Sequence, residues 1–242
     1  MNNVYTTSLK LRSRDVDMFR RLRSSELFKL LQEASIRHTE QLGMGREKTL
    51  DKGILWVLLM QRAEIRRMPE YDEEIILKSW PGKTMHLLFP RYYCLETAGG
   101  EPLLKASAIW GLLDAKTRRV VFPERCGVEI EGMSTGEEID LPGTIRKQDC
   151  DREESFRVPY SFVDLNGHMN NARYCDLAED YIGAAAKGML LKEIRIEYVN
   201  EVRYDETLTL RWNGEEGMFF FSGESDRPVF RMLLRYETDA EG

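Results

Sequence analysis

An internal repeat constrains the fold of this chain more than any other feature. The block YDEEIILKSW begins at Tyr71, and the similar block YDETLTLRW begins at Tyr204. The stretches that begin at Glu64 and Glu193 also resemble each other, although they fit the shift from Tyr71 to Tyr204 less well. The repeat indicates two copies of one structural unit.

Each copy also begins in the same way, with a strand-like segment, an acidic turn and a helix-like segment. Residues 8–14 and 156–162 are the strand-like segments, and residues 15–17 and 164–166 are the turns. The shift from the first turn to the second is larger than the shift between the YDE blocks, so the first copy is longer between its turn and its YDE block. This predicts a longer helix and loop. Residues 25–42 suit that helix, because their apolar side chains recur at helical spacing: Leu27, Leu30, Leu31, Ala34 and Ile36.

The remainder of each copy is rich in β-forming residues and turn signals. A strand, a helix and several antiparallel strands predict an α+β fold in which each sheet wraps around its helix. Residues 1–132 form the predicted N-terminal unit and residues 156–242 the C-terminal unit. Residues 133–155 are rich in Gly, Pro and charge without an apolar period, and we interpret them as a linker.

Bulk properties exclude several classes of function. A net charge of -6 argues against a general nucleic-acid binder, and no apolar run approaches the roughly 18 residues of a membrane helix. The four cysteines form no Cys-x-x-Cys pair, and residues 1–7 lack the apolar core of a signal peptide, so we expect a cytoplasmic protein. The three histidines do not have zinc-ligand spacing, and we expect neither a metal nor a cofactor.

The segment 164–174, DLNGHMNNARY, carries more chemistry than any other. Asp164, Asn166 and His168 alternate, so in an extended segment their side chains would project from one side. Turn formation and helix capping by Asn170 or Asn171 would account for the Asp, Asn and Gly residues. These roles do not account for His168. They also do not explain why the first-copy turn carries Phe19 and Arg20 instead of His and Asn.

A carboxylate, an imidazole and amide donors near a helix N-terminus are suited to hydrolysis of an ester or thioester. No Gly-x-Ser-x-Gly motif is present, which argues against a serine nucleophile. Cys175 is the nearest thiol, but on a helix it would lie two turns from His168, and we interpret it as a buried structural residue. These observations favour attack by water that a carboxylate or an imidazole activates.

The repeat and the 164–174 motif together resemble the acyl-acyl carrier protein thioesterases, a double hot-dog family of plant plastids and bacteria. The family pattern Asp-x-Asn-x-His-x-Asn-Asn-x-x-Tyr is matched here at every defined position. Residues 31–34 and 56–58 are also similar to family segments. The resemblance implies a tandem hot-dog fold and hydrolysis of fatty acyl thioesters, with the first unit shaping the acyl pocket and the second supplying the chemistry.

The resemblance also implies a catalytic set of Asp164, Asn166, His168 and Glu201. Glu201 joins this set because residues 196–202 correspond to a family segment that carries a catalytic Glu. The cysteine once proposed as the family's nucleophile corresponds to Val202, which argues against a Cys-His mechanism. The shift between the YDE blocks relates Glu201 to Met68, and the first-copy turn has no histidine, so we expect one active site per chain.

Our hypothesis at this point is that Asn166 and nearby backbone N–H groups hold the thioester carbonyl. Glu201 or Asp164 activates water, and the sequence leaves the choice between them open. His168 orients a carboxylate or protonates the leaving thiolate. Residues 25–42 and 54–60 are the expected walls of the acyl tunnel.

The expected partner is an acyl carrier protein that carries a fatty acyl chain, without nucleic acid or a membrane span. Two basic clusters are candidates for binding this acidic partner: Arg20, Arg21 and Arg23, or Lys116, Arg118 and Arg119. Hydrolysis of acyl-CoA and non-catalytic acyl binding are the alternatives, and a further homodimer is left open. The N-terminus does not resemble a transit peptide, which favours a bacterial cytoplasmic form.

Overall fold

The structure is a computed structural model, and it describes residues 4–238. The first half contains β1 (Tyr5–Lys10), α1 (Ser24–Gln41), β2 (Ile54–Ile65), β3 (Glu74–Pro81), β4 (Phe89–Thr97), β5 (Pro102–Asp114) and α2 (Pro123–Cys126). The second half contains β6 (Arg152–Arg157), α3 (Arg173–Ile182), β7 (Leu190–Tyr198), β8 (Thr207–Glu215), β9 (Met218–Glu224) and β10 (Pro228–Glu237).

All ten strands form one antiparallel sheet in the order β1-β3-β4-β5-β2-β7-β10-β9-β8-β6. The order reads the same from both edges once each strand is replaced by its counterpart in the other half. Strands β2 and β7 meet at the centre, so the two predicted sheets are joined into one. Hydrophobic residues of both halves form one continuous core cluster.

The strand positions confirm the repeat and correct how its two turns are matched. The starts of β3 and β8 are related by the same shift as the two YDE blocks, but the starts of β1 and β6 are related by the shift from Asp17 to Asp164. In the first turn Asp17 N donates to Arg21 O, and in the second Asp164 N donates to His168 O. The counterpart of Asp164 is therefore Asp17 and not Asp15. The sequence comparison failed here because both acidic residues of the first turn match the motif.

Helix α1 lies within one residue of its predicted bounds and buries the apolar side chains of Leu27, Leu31 and Ala34 against the sheet. Helix α3 has only 10 residues and is therefore not a second long helix. The two helices meet where Ser24 Oγ donates to Glu179 Oε1 at 2.5 Å. Burial raises the pKa of Glu179, which suits a carboxyl group enclosed between helices.

The segment between the halves packs across the sheet face opposite the helices. Ser107 Oγ donates to Asp140 O at 2.6 Å, and Ile145 N donates to Glu197 Oε2 at 3.3 Å. Strand β6 already begins at Arg152, so the end of the predicted linker belongs to a strand. The division at residues 132 and 156 stays a prediction. Within residues 4–238, no helix has the length and apolar character needed to span a bilayer.

Candidate active site

The 164–174 motif folds into a tight turn that leads into α3. Gly167 N donates to Asp164 O at 3.0 Å, and Gly167 has φ +83°, a conformation that favours glycine. Val163 and Met169 pair on either side of the turn. The predicted extended segment is therefore wrong, because the turn brings the first and last polar residues opposite each other. Asp164 N donates to His168 O at 3.0 Å.

Asp164 holds this turn together through both of its carboxylate oxygens. Oδ1 accepts from Asn166 N at 2.8 Å, and Oδ2 accepts from Asn170 Nδ2 at 3.2 Å. Asn170 in turn uses Oδ1 to accept from Ala172 N at 3.0 Å, one residue before α3. Asp164 thus links the turn to the start of the helix.

Glu201, which follows β7 in the chain, comes next to His168. Met169 N donates to Val202 O at 2.8 Å, and His168 pairs with Arg203, so the turn is aligned beside residues 201–203. His168 Nε2 lies 3.3 Å from Glu201 Oε1. The structure therefore brings together the imidazole and the carboxylate that the sequence assigned to one site.

Arg118 is a site residue that the sequence analysis did not place there. It belongs to the turn after β5 in the first half, where Asp114 Oδ1 accepts from Thr117 N at 2.7 Å. Its Nη2 donates to Glu201 Oε1, so the first half reaches the carboxylate of the second. No spacing rule links residues so far apart in the chain, and the sequence marked Arg118 only as a member of a basic cluster.

The surroundings of His168 favour the neutral form of its imidazole. Burial lowers the pKa of His168 below 6.5, and the positive charges of Arg118 and Arg203 lower it further. Asp164 acts in the opposite direction but is outweighed. A neutral imidazole has one nitrogen that can accept a proton.

Asn166 is exposed at the tip of the turn, and its side-chain amide makes no hydrogen bond to a described residue. Its backbone N–H is already used, since it donates to Asp164 Oδ1. The N–H groups of Gly167 and Ala172 are also used within the motif. Of the predicted carbonyl donors, the Asn166 side chain is therefore the best placed.

Cys175 is fully buried on α3, and burial raises its pKa well above the ordinary value. A thiol in this environment is a poor nucleophile. Val202, at the position of the family's cysteine, is also fully buried. Neither position offers a reactive sulfur to a substrate.

A cavity of about 480 Å³ opens beside the motif. Its walls come from the first half: α1, the loop before β2, and parts of β2, β4 and β5. The second half contributes only the turn, through Asp164, Leu165, Asn166 and Asn170. A larger surface groove of about 920 Å³ runs along β1 but has no motif residue in its lining, so we assign the site to the smaller cavity.

Aromatic side chains pack together on α3 and the strands of the second half. Tyr181 packs against Trp212 with ring centroids 5.5 Å apart, and Phe221 packs against Phe230 at 5.4 Å. The first-half turn places Phe19 and Arg21 where the second has Asn166 and His168. These differences support the expectation of one active site per chain.

Comparisons with known proteins give a match for each half of the chain. Residues 2–124 match the family model of the acyl-ACP thioesterase N-terminal domain, and residues 145–237 match that of the C-terminal domain. A chloroplastic acyl-[acyl-carrier-protein] hydrolase of Cuphea viscosissima is 25% identical over 98% of this chain and 60% of its own length. The chain spans about half to three fifths of the length of the curated relatives it matches first.

Two solved structures share the fold. A structure described as an oleoyl thioesterase from Lactobacillus plantarum has a TM-score of 0.85 at 23% identity and covers 97% of this chain and 96% of its own. An acyl-ACP thioesterase from Bacteroides thetaiotaomicron has a TM-score of 0.84 at 20% identity and covers 98% of both chains. The predicted double hot-dog fold is thereby confirmed.

Proposed function

Because the chain belongs to the acyl-ACP thioesterase family, we propose that it hydrolyses fatty acyl thioesters of acyl carrier protein and releases the free fatty acid. One observation carries the proposal. The first half supplies a cavity for an acyl chain, and the second-half turn lines it with Asp164 and Asn166. His168 follows in the same turn and lies beside Glu201, although neither residue lines the cavity. The family resemblance assigned these two roles to the same halves.

In the proposed mechanism, the thioester carbonyl lies at the mouth of the cavity and accepts a hydrogen bond from Asn166 Nδ2. A water molecule attacks the carbonyl carbon and gives a proton to the neutral imidazole of His168. The tetrahedral intermediate then collapses, the C–S bond breaks, and the imidazolium returns the proton to the leaving sulfur. The products are a fatty acid and the thiol of the carrier, and His168 is neutral again.

Glu201 supports this step from beside the ring. Its carboxylate lies 3.3 Å from His168 Nε2 and would stabilise the imidazolium that forms. Asp164 is less suited to activate water, since both of its oxygens already accept hydrogen bonds within the turn. We therefore assign Asp164 to positioning Asn166 and Asn170, and the His168–Glu201 pair to proton transfer.

The family match favours an acyl carrier protein over coenzyme A as the bearer of the acyl chain, and basic residues near the site suit an acidic partner. Arg118 and Arg203 both lie close enough to His168 to lower its pKa, and Lys116 and Arg119 flank Arg118 in the chain. In the other predicted cluster, the Arg21 side chain is largely buried and lies 3.6 Å from Asp17, so it is less available to a partner. Charge complementarity of this kind increases the rate of association.

The proposal is tested by thiol release from a panel of C8 to C18 acyl-carrier and acyl-CoA thioesters, with wild type and His168→Ala. We expect turnover of carrier-bound chains that the variant loses. Higher kcat/KM on acyl-CoA would favour the first alternative. Acyl binding without any turnover would contradict the proposal and favour a binding protein. The homodimer and the cytoplasmic location stay predictions, for sedimentation and cell fractionation to test.

A further inference from the structure

The acyl cavity contains a buried cation that no carboxylate neutralises. Arg91 lies on the helix-facing side of β4, is 4% exposed and lines the cavity. Its Nη1 lies 3.0 Å from His38 Nδ1 and donates to Ser79 Oγ at 3.1 Å, and its Nη2 donates to Thr39 Oγ1 at 3.2 Å. Among residues 4–238 no carboxylate oxygen lies within 4.0 Å of the guanidinium.

The partners of Arg91 are neutral. Burial and the charge of Arg91 lower the pKa of His38 to about 4, so its ring carries no charge at pH 7. The last turn of α1 contributes the negative end of the helix dipole, equivalent to about half a charge. The carbonyl groups of His38 and Thr39 already accept from Leu42 N and Met44 N. Part of the positive charge therefore stays uncompensated, which is unfavourable in a protein interior.

A second donor without an acceptor lies in the same wall. Trp110 lines the cavity, and its Nε1 is buried with the Tyr93 hydroxyl as its nearest candidate acceptor and no well-formed hydrogen bond to a described residue. The indole N–H can only donate. A plain alkyl chain would offer this donor no further acceptor and would leave the Arg91 charge without a counter-charge.

We propose that the cavity selects acyl chains that carry an acceptor oxygen, a hydroxyl or a carboxylate, away from the thioester. The oxygen binds Arg91, and Trp110 contributes a second hydrogen bond. This inference rests on the proposed function, because it describes the acyl group that the same site accepts. A hydroxyl and a carboxylate share this chemistry, and the test separates them.

The test uses pantetheine amides, in which an amide replaces the thioester so that no thiol can be released. Their binding is measured by calorimetry at pH 7.5. The chains are plain dodecanoyl, dodecanoyl with a hydroxyl at successive positions, and dodecanoyl ending in a carboxylate. We expect at least one oxygenated chain to bind about tenfold or more tightly than the plain chain, since a hydrogen bond to a charged group is worth about that much.

Two variants identify the groups responsible. Arg91→Met should abolish the preference for the oxygenated chain, and Trp110→Phe, which leaves the hydrogen bonds of Arg91 intact, should reduce it. Tight binding of the plain chain, equal to that of every oxygenated chain, would overturn the inference. So would a preference that neither variant changes.

The experiments distinguish a failure of this inference from a failure of the proposed thioesterase function. Hydrolysis of plain dodecanoyl carrier thioester without a preference among the amides would overturn this inference alone. A preference that Arg91→Met abolishes, without hydrolysis of any thioester, would support the site and contradict the thioesterase function.

Discussion

Arg62 lies directly opposite Arg195 where β2 pairs with β7. These are also the two residues that the repeat makes equivalent, so its symmetry axis passes between them. Like charges in this position destabilise a sheet unless they are neutralised. Glu193 pairs with both, with Oε1 2.9 Å from Arg62 Nε and 3.4 Å from Arg195 Nε, and Arg62 also pairs with Glu64 and Asp140.

We therefore expect Glu193→Gln to weaken the junction of the two halves. The variant should lower the free energy of unfolding by about 1 to 3 kcal/mol, because Arg195 loses its carboxylate partner while it faces Arg62 in a largely buried position. Urea denaturation measures this. Glu33→Gln is the matched control, since its exposed pair with Arg37 contributes little. Equal effects of the two variants would contradict the role of Glu193.

The Asn166 side chain is the proposed donor to the thioester carbonyl. Asn166→Ala should reduce kcat about 10²- to 10³-fold, the usual loss when one oxyanion donor is removed. The control is Phe19→Ala, which changes the equivalent exposed position of the first half. Steady-state hydrolysis of a carrier-bound acyl thioester measures both. Full activity of Asn166→Ala would remove this residue from the mechanism.

Asp164 and Glu201 should respond differently to conversion into amides. Asp164→Asn replaces one of the two acceptor oxygens with an NH₂ group, so either Asn166 N or Asn170 Nδ2 loses its acceptor. Both thermal stability and kcat should therefore fall. Glu201→Gln should lower kcat about 10²-fold or more with little change in the melting temperature, because its side chain is 37% exposed. If Glu201→Gln kept wild-type kcat, Glu201 would have no role in proton transfer.

The pH dependence of kcat/KM should follow the imidazole of His168. The neutral ring is the active form, so activity rises with pH through the pKa of His168, with a midpoint below 6.5. Arg118→Gln removes a positive charge that lowers this pKa and should move the midpoint to higher pH. Arg118→Lys keeps the charge and should leave it in place. An unchanged midpoint in Arg118→Gln would contradict the electrostatic role.

His38 should make the fold sensitive to acid. Its pKa is about 4 in the folded chain and 6.5 without burial, so the unfolded chain binds more protons between these values. Stability is therefore present above pH 6.5 and is lost as the pH falls toward 4. Between pH 7 and 4.5 the wild type should lose about 1 to 3 kcal/mol more than His38→Gln, which keeps an acceptor for Arg91. Parallel losses in denaturant titrations would contradict this.

The repeat and the motif predicted much of this molecule, because both are local in sequence. The bounds of α1 agree with expectation, and His168 lies beside Glu201. The predicted strand segments 8–14 and 156–162 are offset, because β1 already ends at Lys10 and β6 already begins at Arg152. Asp164, Asn166 and His168 share one turn and do not lie along one side of an extended segment, since Gly167 reverses the chain. The left-handed conformation of Gly167 could not be predicted, because the same polar residues also fit an alternating extended segment.

Arg118 and Arg91 show where sequence reasoning ends. The contact of Arg118 with Glu201 depends on how the two halves face each other, which no local pattern encodes. Arg91 did leave a signal, an arginine at an inward position between Phe89 and Tyr93. Inward positions on a strand are usually apolar, and the significance of the exception depends on a cavity that only the fold reveals.

The path of the linker over the sheet has a consequence for how the site is assembled. Two separate subunits would form a shared site only at concentrations above their dissociation constant. Here the cavity and the turn are tied by one chain that also lies against both halves, so the second unit is always present at a high effective concentration. The assembled state of the site is thus independent of dilution. Each chain therefore carries a complete site.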